Sequence, residues 1–283
     1  MSQRHEPVTI RRILVAVDAS SHSQAALEAA IEMARRFNAE LVGLFVEDLN
    51  VLRAAGLPLA QAFGEYSAAR QRIDIHSVER QFRWRIRRTR RIFVQLTRQQ
   101  SVRASFRVAR GMVNAEIHAA AETADVLIIG RAGWSRARHR QLGSTARAIC
   151  GDEIPGVTAI LKEGQQLTGP VTVLYDGSRE GDQALLVAGA LVEEVSEPLQ
   201  ILLVAADAEH ARQLRARANR CLRSASTMRQ YRSVVKPRVA QLARRVQETQ
   251  AGAVVVPANL SLIQEDSLPE LLGVIDLPIV LVR

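Results

Sequence analysis

Short unbroken apolar runs divide the chain, with polar or glycine-bearing turns between them. Ile13 to Val17, Leu41 to Val46, Asp125 to Ile129 and Val157 to Leu161 are built mostly of branched aliphatic side chains. Runs of this length without polar alternation predict strands of a parallel sheet buried on both faces. Phe106 to Ala109 predicts a weaker strand. Between the runs the period changes. Ala26, Ala30, Met33 and Phe37 share one face of a helix predicted over Ala25 to Phe37, and Ala115 to Ala124 and Gly143 to Cys150 predict two more. Asp18-Ala-Ser-Ser21 follows the first run and supplies helix N-cap side chains.

The same order returns further along. Val171 to Tyr175 is a strand ending at Asp176-Gly-Ser178, followed by a helix from about 183 to 195 and a strand over Leu199 to Val204. Helical segments flank residue 220 and cover Val239 to Thr249, and Ala253 to Val256 and Pro278 to Val282 are the last strands. Asp18 and Asp176 stand 158 positions apart, whereas Ile129 and its counterpart near Val256 or Pro257 stand about 128 apart. One α/β unit therefore occurs twice, as domains 1–165 and 166–283 joined by Gly164 to Gly169. The first copy carries about 30 extra residues between its second and third strands.

That insertion, about 66–101, predicts one long helix. Ile75, Val78, Phe82, Ile86, Phe93 and Leu96 form an apolar stripe at steps of three, four or seven. A helix of about 30 residues spans roughly 45 Å. Thirteen arginines fall between Arg70 and Arg110, against the acids Asp74 and Glu79. The whole chain shares the bias: 36 of its 38 basic residues are arginine, and the net charge is +9. Two readings of the basic helix stay open, a solvated face and a dock for an acidic partner. Aromatic residues are only 4 %, which supplies few stacking platforms and disfavours nucleic acid as the partner.

With 47 % hydrophobic and 24 % charged residues, disordered and fibrous classes are excluded. The longest apolar run, Leu185 to Val192, falls far short of the roughly 20 residues of a membrane span. Met1 to Arg12 is polar, so a cytoplasmic protein without membrane insertion is expected. Cys150 and Cys221 lie far apart and predict two reduced thiols, and no Cys/His cluster has metal-ligand spacing.

The candidate chemistry follows the strongest strand. Gly130-Arg131-Ala132-Gly133 is followed, nine residues later, by Gly143-Ser144-Thr145. Glycines let backbone N–H groups approach an anion, and a helix opening at Ser144 adds free amides and a positive dipole end. Phosphate binding suits this pattern, which is neither a P-loop nor a GxGxxG turn. Asp18 ends the first strand. If the first and fourth strands are neighbours, Asp18 and Gly130 flank the crevice at which open α/β sheets take ligands. No catalytic triad, nucleophile elbow or acid–base carboxylate pair is visible, so an enzyme is the lesser reading.

These residues resemble the universal stress protein family. ILVAVDASSHSQAALEAAIEMA matches its first strand and helix, and GRAGWSRARHRQLGST its G-2x-G-9x-G-S/T nucleotide signature. Residues 10–47 and 106–162 carry the likeness, and with the second copy the chain is identified as a tandem member. The resemblance implies two Rossmann-like, adenine nucleotide alpha hydrolase-like domains. Each would hold a five-stranded parallel sheet of order 3-2-1-4-5 with helices on both faces, the halves pairing through their last strands. It implies ATP as ligand, with AMP or ADP and an accompanying Mg ion left open. Asp18, with Ala16, Val17 and Ala19 around it, would contact adenosine, and Val46 would cover the adenine. Gly130, Gly133 and Gly143, with Ser144 and Thr145, would hold the phosphates, and Arg131 would belong to the same cofactor site, where it could strengthen triphosphate binding or serve an acidic partner instead. The implied activity is a nucleotide-dependent stress-response module. Slow ATP hydrolysis or autophosphorylation, and a scaffold working through the arginine helix, are the alternatives.

The chain departs from that pattern twice. Arg136, Arg138, His139 and Arg140, beside Trp134, crowd the nine-residue loop. The second copy has Pro257-Ala-Asn-Leu-Ser261 where the glycine turn is wanted, and Pro257 lacks a backbone donor. One competent site per chain is expected, in the first half. A homodimer stays open.

Overall fold

The computed structural model describes residues 9–55, 61–64, 67–72, 75–132, 142–151, 154, 156–192, 198–223, 227–260 and 267–283. The first half runs β1 (Arg12–Ala16), α1 (Ser21–Arg36), β2 (Glu40–Asp48), α2 (Leu49–Ala55), β3 (Gln61–Gly64), β4 (Ser67–Arg72), α3 (Ile75–Gln99), β5 (Ala104–Gly111), α4 (Val113–Ala121), β6 (Val126–Gly130), α5 (Ser144–Gly151) and β7 (Val157–Leu161). The second runs β8 (Val171–Tyr175), α6 (Arg179–Val192), β9 (Leu199–Ala205), α7 (Ala208–Cys221), β10 (Arg229–Val235), α8 (Val239–Gln247), β11 (Ala253–Pro257), α9 (Ser267–Val274) and β12 (Ile279–Val282).

Ten strands make one sheet in the order β10-β9-β8-β11-β12-β7-β6-β1-β2-β5. Within each half all neighbours are parallel, and each half has its own strands in the order 3-2-1-4-5. The halves meet where β12 pairs antiparallel with β7, from Ile279 opposite Ile160 to Val282 opposite Val157. The apolar runs are unbroken because both sheet faces are covered. Ile13 and Val15 pack into one cluster and Leu14 into the other, and each cluster contains strand residues of both halves.

Two arginines fasten the seam reciprocally. Arg131 donates to the carbonyls of Leu272 at 2.9 Å, Gly273 at 2.7 Å and Ile275 at 2.6 Å, at the end of α9. Arg283 donates to Ile149 and Cys150 at 2.9 and 2.8 Å, at the end of α5. Each guanidinium thus satisfies terminal carbonyls of a helix from the other half and sits at its negative dipole end.

The insertion is shorter as a helix than its composition suggests. β4, paired antiparallel with β3 just ahead of the insertion, takes up its first part, and α3 has 25 residues, about 38 Å. Ser67–Arg72 is strand rather than helix, in the stretch ahead of the apolar stripe. Phe93 fixes α3 to the sheet. A Cβ on Gly43, in mid-β2, would lie 2.6 Å from the Phe93 ring, so only glycine leaves room for it there. Phe106 on β5 meets the same ring at 5.4 Å, tilted by 59°. The opposite face of α3 presents Arg80, Arg83, Trp84, Arg87, Arg88 and Arg91 to solvent. No helix among the described residues is long and apolar enough to cross a membrane.

Candidate functional site

β1 and β6 lie side by side, Ile13 opposite Val126 and Val15 opposite Ile128. From β1 the chain passes through α1 to β2, and from β6 through α5 to β7 on the other side. Their carboxyl ends therefore part company, which opens a crevice at the switch point. A cavity of ≈ 270 Å³ occupies it. Ala16, Val17 and Asp18 form one wall, Val46 closes the end of β2, and Gly130, Arg131, Gly143, Ser144 and Thr145 form the opposite side. Residues more than a hundred positions apart are thus brought together.

The Asp18 side is a rigid turn. Asp18 Oδ1 accepts from the Ser20 amide at 3.0 Å, and the Asp18 amide donates to Ser23 Oγ at 3.0 Å. Ser20 in turn caps α1 by accepting from the Ser23 amide at 3.1 Å. Ala19 stands in the turn, outside the cavity wall, with φ at 67°. Asp18 therefore shapes the entry to α1 and also lines the cavity.

The glycine side divides its roles. A Cβ on Gly130 would fall 2.9 Å from the His22 carbonyl carbon and 3.0 Å from the Ser23 nitrogen. Gly130 thus allows β6 to lie against the first turn of α1, a packing requirement the motif alone does not reveal. The Gly143 amide donates to the Arg131 carbonyl at 2.8 Å and closes the base of the intervening loop. The Gly143 carbonyl accepts from Arg147 at 2.9 Å, so α5 starts beside the cavity with Ser144 and Thr145 in its first turn. The first-turn amides of a helix have no intrahelical acceptor and suit an anion. Gly133, Trp134, Arg136, Arg138, His139 and Arg140 lie outside the described residues.

Arg131 is placed differently from its expected role. Its backbone borders the cavity, but its guanidinium is buried and hydrogen-bonded to α9 as described above. Burial pulls its pKa below the ordinary arginine value, with the Asp276 charge opposing. The guanidinium is a structural tie between the halves, while Arg131 still lines the cavity.

Other wall residues carried no motif. Asp48 and Val51 come from the end of β2 and from α2, Val113 and Ile117 from α4, and Phe82 and Arg85 from the inserted helix. Phe82 is buried and Arg85 half-buried. Burial lowers the Arg85 pKa and the Asp18 charge raises it. The apolar stripe on α3 marked Phe82 as inward, but nothing local shows which part of the sheet the helix covers.

At the matching place of the second half the acid, Asp176, is buried. Tyr175, the counterpart of Val17, is fully buried and donates to Asp182 Oδ1 at 2.8 Å, while Arg217 reaches Asp182 Oδ2 at 2.6 Å. Asp176 Oδ1 accepts from the Ser178 hydroxyl at 2.6 Å and its amide at 3.0 Å. Gly177 has φ at 78°, and a Cβ there would meet Leu214 of α7 at 2.6 Å. The turn has the same amide bond as the Asp18 turn, with the Ser178 hydroxyl and the packing of α7 added.

Both thiols are quiet. Burial pushes Cys150 and Cys221 up to about 11, so neither is a nucleophile near neutral pH.

A tandem, doubly wound α/β protein with a crevice at the switch point of its first half is what fold and site define. The chain belongs to the universal stress protein family, whose model matches residues 9–151. Its fold is similar to that of a universal stress protein from Archaeoglobus fulgidus, at 18 % identity and a TM-score of 0.74 over 96 % of this chain and 98 % of that one. A putative universal stress protein from Pseudomonas aeruginosa is similar over 96 % and 93 %, at 15 % identity and a TM-score of 0.58. Among curated proteins none matches the chain.

Proposed function

We propose that the chain binds an adenine nucleotide in the first-half cavity and acts as a nucleotide-dependent regulatory module of the stress response, with one site per chain. The observation that carries this reading is the convergence of the Asp18 turn and the first turn of α5 on one cavity. At ≈ 270 Å³ it is at the small end of ligand pockets. It suits the nucleoside, with the phosphates running to the amides of Ser144 and Thr145. Asp18 and Val46 take the sugar and base side. ATP, ADP and AMP share this recognition, and a Mg ion accompanying ATP would supply neutralisation of its phosphate charge. The buried Asp176, with α7 packed on its turn, supports a single site.

Titration calorimetry of the full chain with ATP tests the proposal. Binding of one equivalent, abolished by Gly143→Leu with the fold retained, is expected. Two equal sites, or unchanged affinity in the variant, refutes it. Turnover above buffer that is lost in Asp18→Asn would reassign the protein as a slow ATPase.

A second reading is favoured by the exposed arginines of α3 on either side of Trp84, with Arg88 stacked over its ring at 5.3 Å. This face suits an acidic protein partner. Salt-sensitive capture of a polyglutamate peptide, lost when Arg83, Arg87 and Arg91 become glutamine, is its test.

A further inference from the structure

The inserted helix touches the cavity at two neighbouring positions. Phe82 and Arg85 are three residues apart, hence on one face, and both belong to the cavity wall. The helix that carries them is fixed by Phe93, which is 1 % exposed and seated over Gly43. α3 has eight arginines. Seven are exposed, and Arg85 alone is drawn in from solvent.

A guanidinium taken out of water costs free energy unless an opposite charge answers it. Phe82 occupies the neighbouring turn as an apolar wall, while the acids on the cavity wall are Asp18 and Asp48. Asp18 acts on Arg85 through its charge, and Asp48 Oδ1 accepts from the Asn50 amide at 2.8 Å at the start of α2. An anionic ligand entering here meets two carboxylates. The Arg131 guanidinium is buried and tied to α9 carbonyls instead. A neutral nucleoside meets no such electrostatic obstacle. A cation on the Asp18 side eases the entry of a charged ligand, and among the described residues Arg85 is the side chain placed there.

We infer that Arg85 selects the charged nucleotide over the neutral nucleoside, so that the inserted helix is part of the binding site rather than an appendage to it. Arg85 is a specificity-determining residue: its charge offsets Asp18 and Asp48, so that a ligand whose phosphates run to the first turn of α5 is tolerated in the cavity, while Asp18 and Val46 serve the sugar and base. This rests on the nucleotide reading above and adds to it the residue that sets the ligand's charge class.

The test compares ATP, AMP and adenosine by calorimetry on the wild-type full chain, Arg85→Ala and Arg85→Lys, with thermal unfolding as the check of folding. Arg85→Ala is expected to weaken ATP and AMP about tenfold, the order for removing one unit charge from the edge of a solvent-open cavity. Its adenosine affinity stays within about twofold, and Arg85→Lys falls between wild type and alanine. Equal weakening of adenosine and ATP, or no weakening of either, overturns the inference while leaving the nucleotide site standing. A wild-type chain that binds none of the three overturns the nucleotide reading, and this inference with it.

Discussion

Arg131→Met separates a structural tie from a ligand contact at one residue. Arg131 is 5 % exposed and makes three hydrogen bonds of 2.6 to 2.9 Å to carbonyls of the other half. A hydrogen bond from a charged donor is worth about 1.5–3 kcal/mol net. Three from one guanidinium are not additive, and relief of its desolvation repays part of the loss. Methionine also fills much of the same volume. A net destabilisation of ~3 kcal/mol follows. At about 2.1 cal/mol/K per residue, a 283-residue chain unfolds with ~0.6 kcal/mol/K, so the midpoint falls by roughly 5 °C. Differential scanning calorimetry reads that shift, and ATP titration on the same variant reads affinity, expected within about threefold of wild type. A collapse of ATP affinity at unchanged melting temperature would show that the guanidinium serves the phosphates and that its bonds to α9 carry little.

Gly130→Ala forces a Cβ against the backbone of His22 and Ser23, so it should cost about 1–3 kcal/mol in urea denaturation and weaken ATP by disturbing the Asp18 turn. Phe93→Ala removes the anchor of α3; a loss of about 3–5 kcal/mol and faster tryptic cutting near Arg87 to Arg91 are expected, against an unchanged digestion pattern if the helix is held otherwise. The thiols ionise near 9 in the unfolded chain and near 11 when folded. Above pH 9 the unfolded state therefore binds fewer protons, and stability falls as pH rises from about 9 through 11. Urea midpoints of wild type and the Cys150→Ala, Cys221→Ala double variant should converge over that window; parallel curves would contradict it.

The strand and helix pattern was legible because burial on both faces writes strands as plain apolar runs, as at Val171–Tyr175. Gly130, Gly143 and Asp18 were legible because a glycine-spaced turn beside a strand end and a helix start forms a recognisable pattern, although the packing that requires Gly130 was not. Less could be read where tertiary packing decides. α9 is eight residues with Pro269 in its first turn, too short for a clear period, yet it buries Leu271 and Leu272 completely. α2 is shorter still, and its Val51 reaches the cavity wall. Arg131 sits inside the glycine signature, so the motif pointed to phosphate, whereas the partner that claims it lies about 140 residues onward. Arg85 looks like any of its neighbours in α3, and only the docking of the whole helix sets it apart.

The antiparallel join of β7 to β12 has a consequence for assembly. Because both partners belong to one polypeptide, their pairing is an intramolecular event at high effective concentration, and dilution does not open it. It also spends both last-strand edges, leaving β5 and β10 as the outer strands of the sheet. Two chains that associate must therefore do so through a different surface from the one that unites the halves.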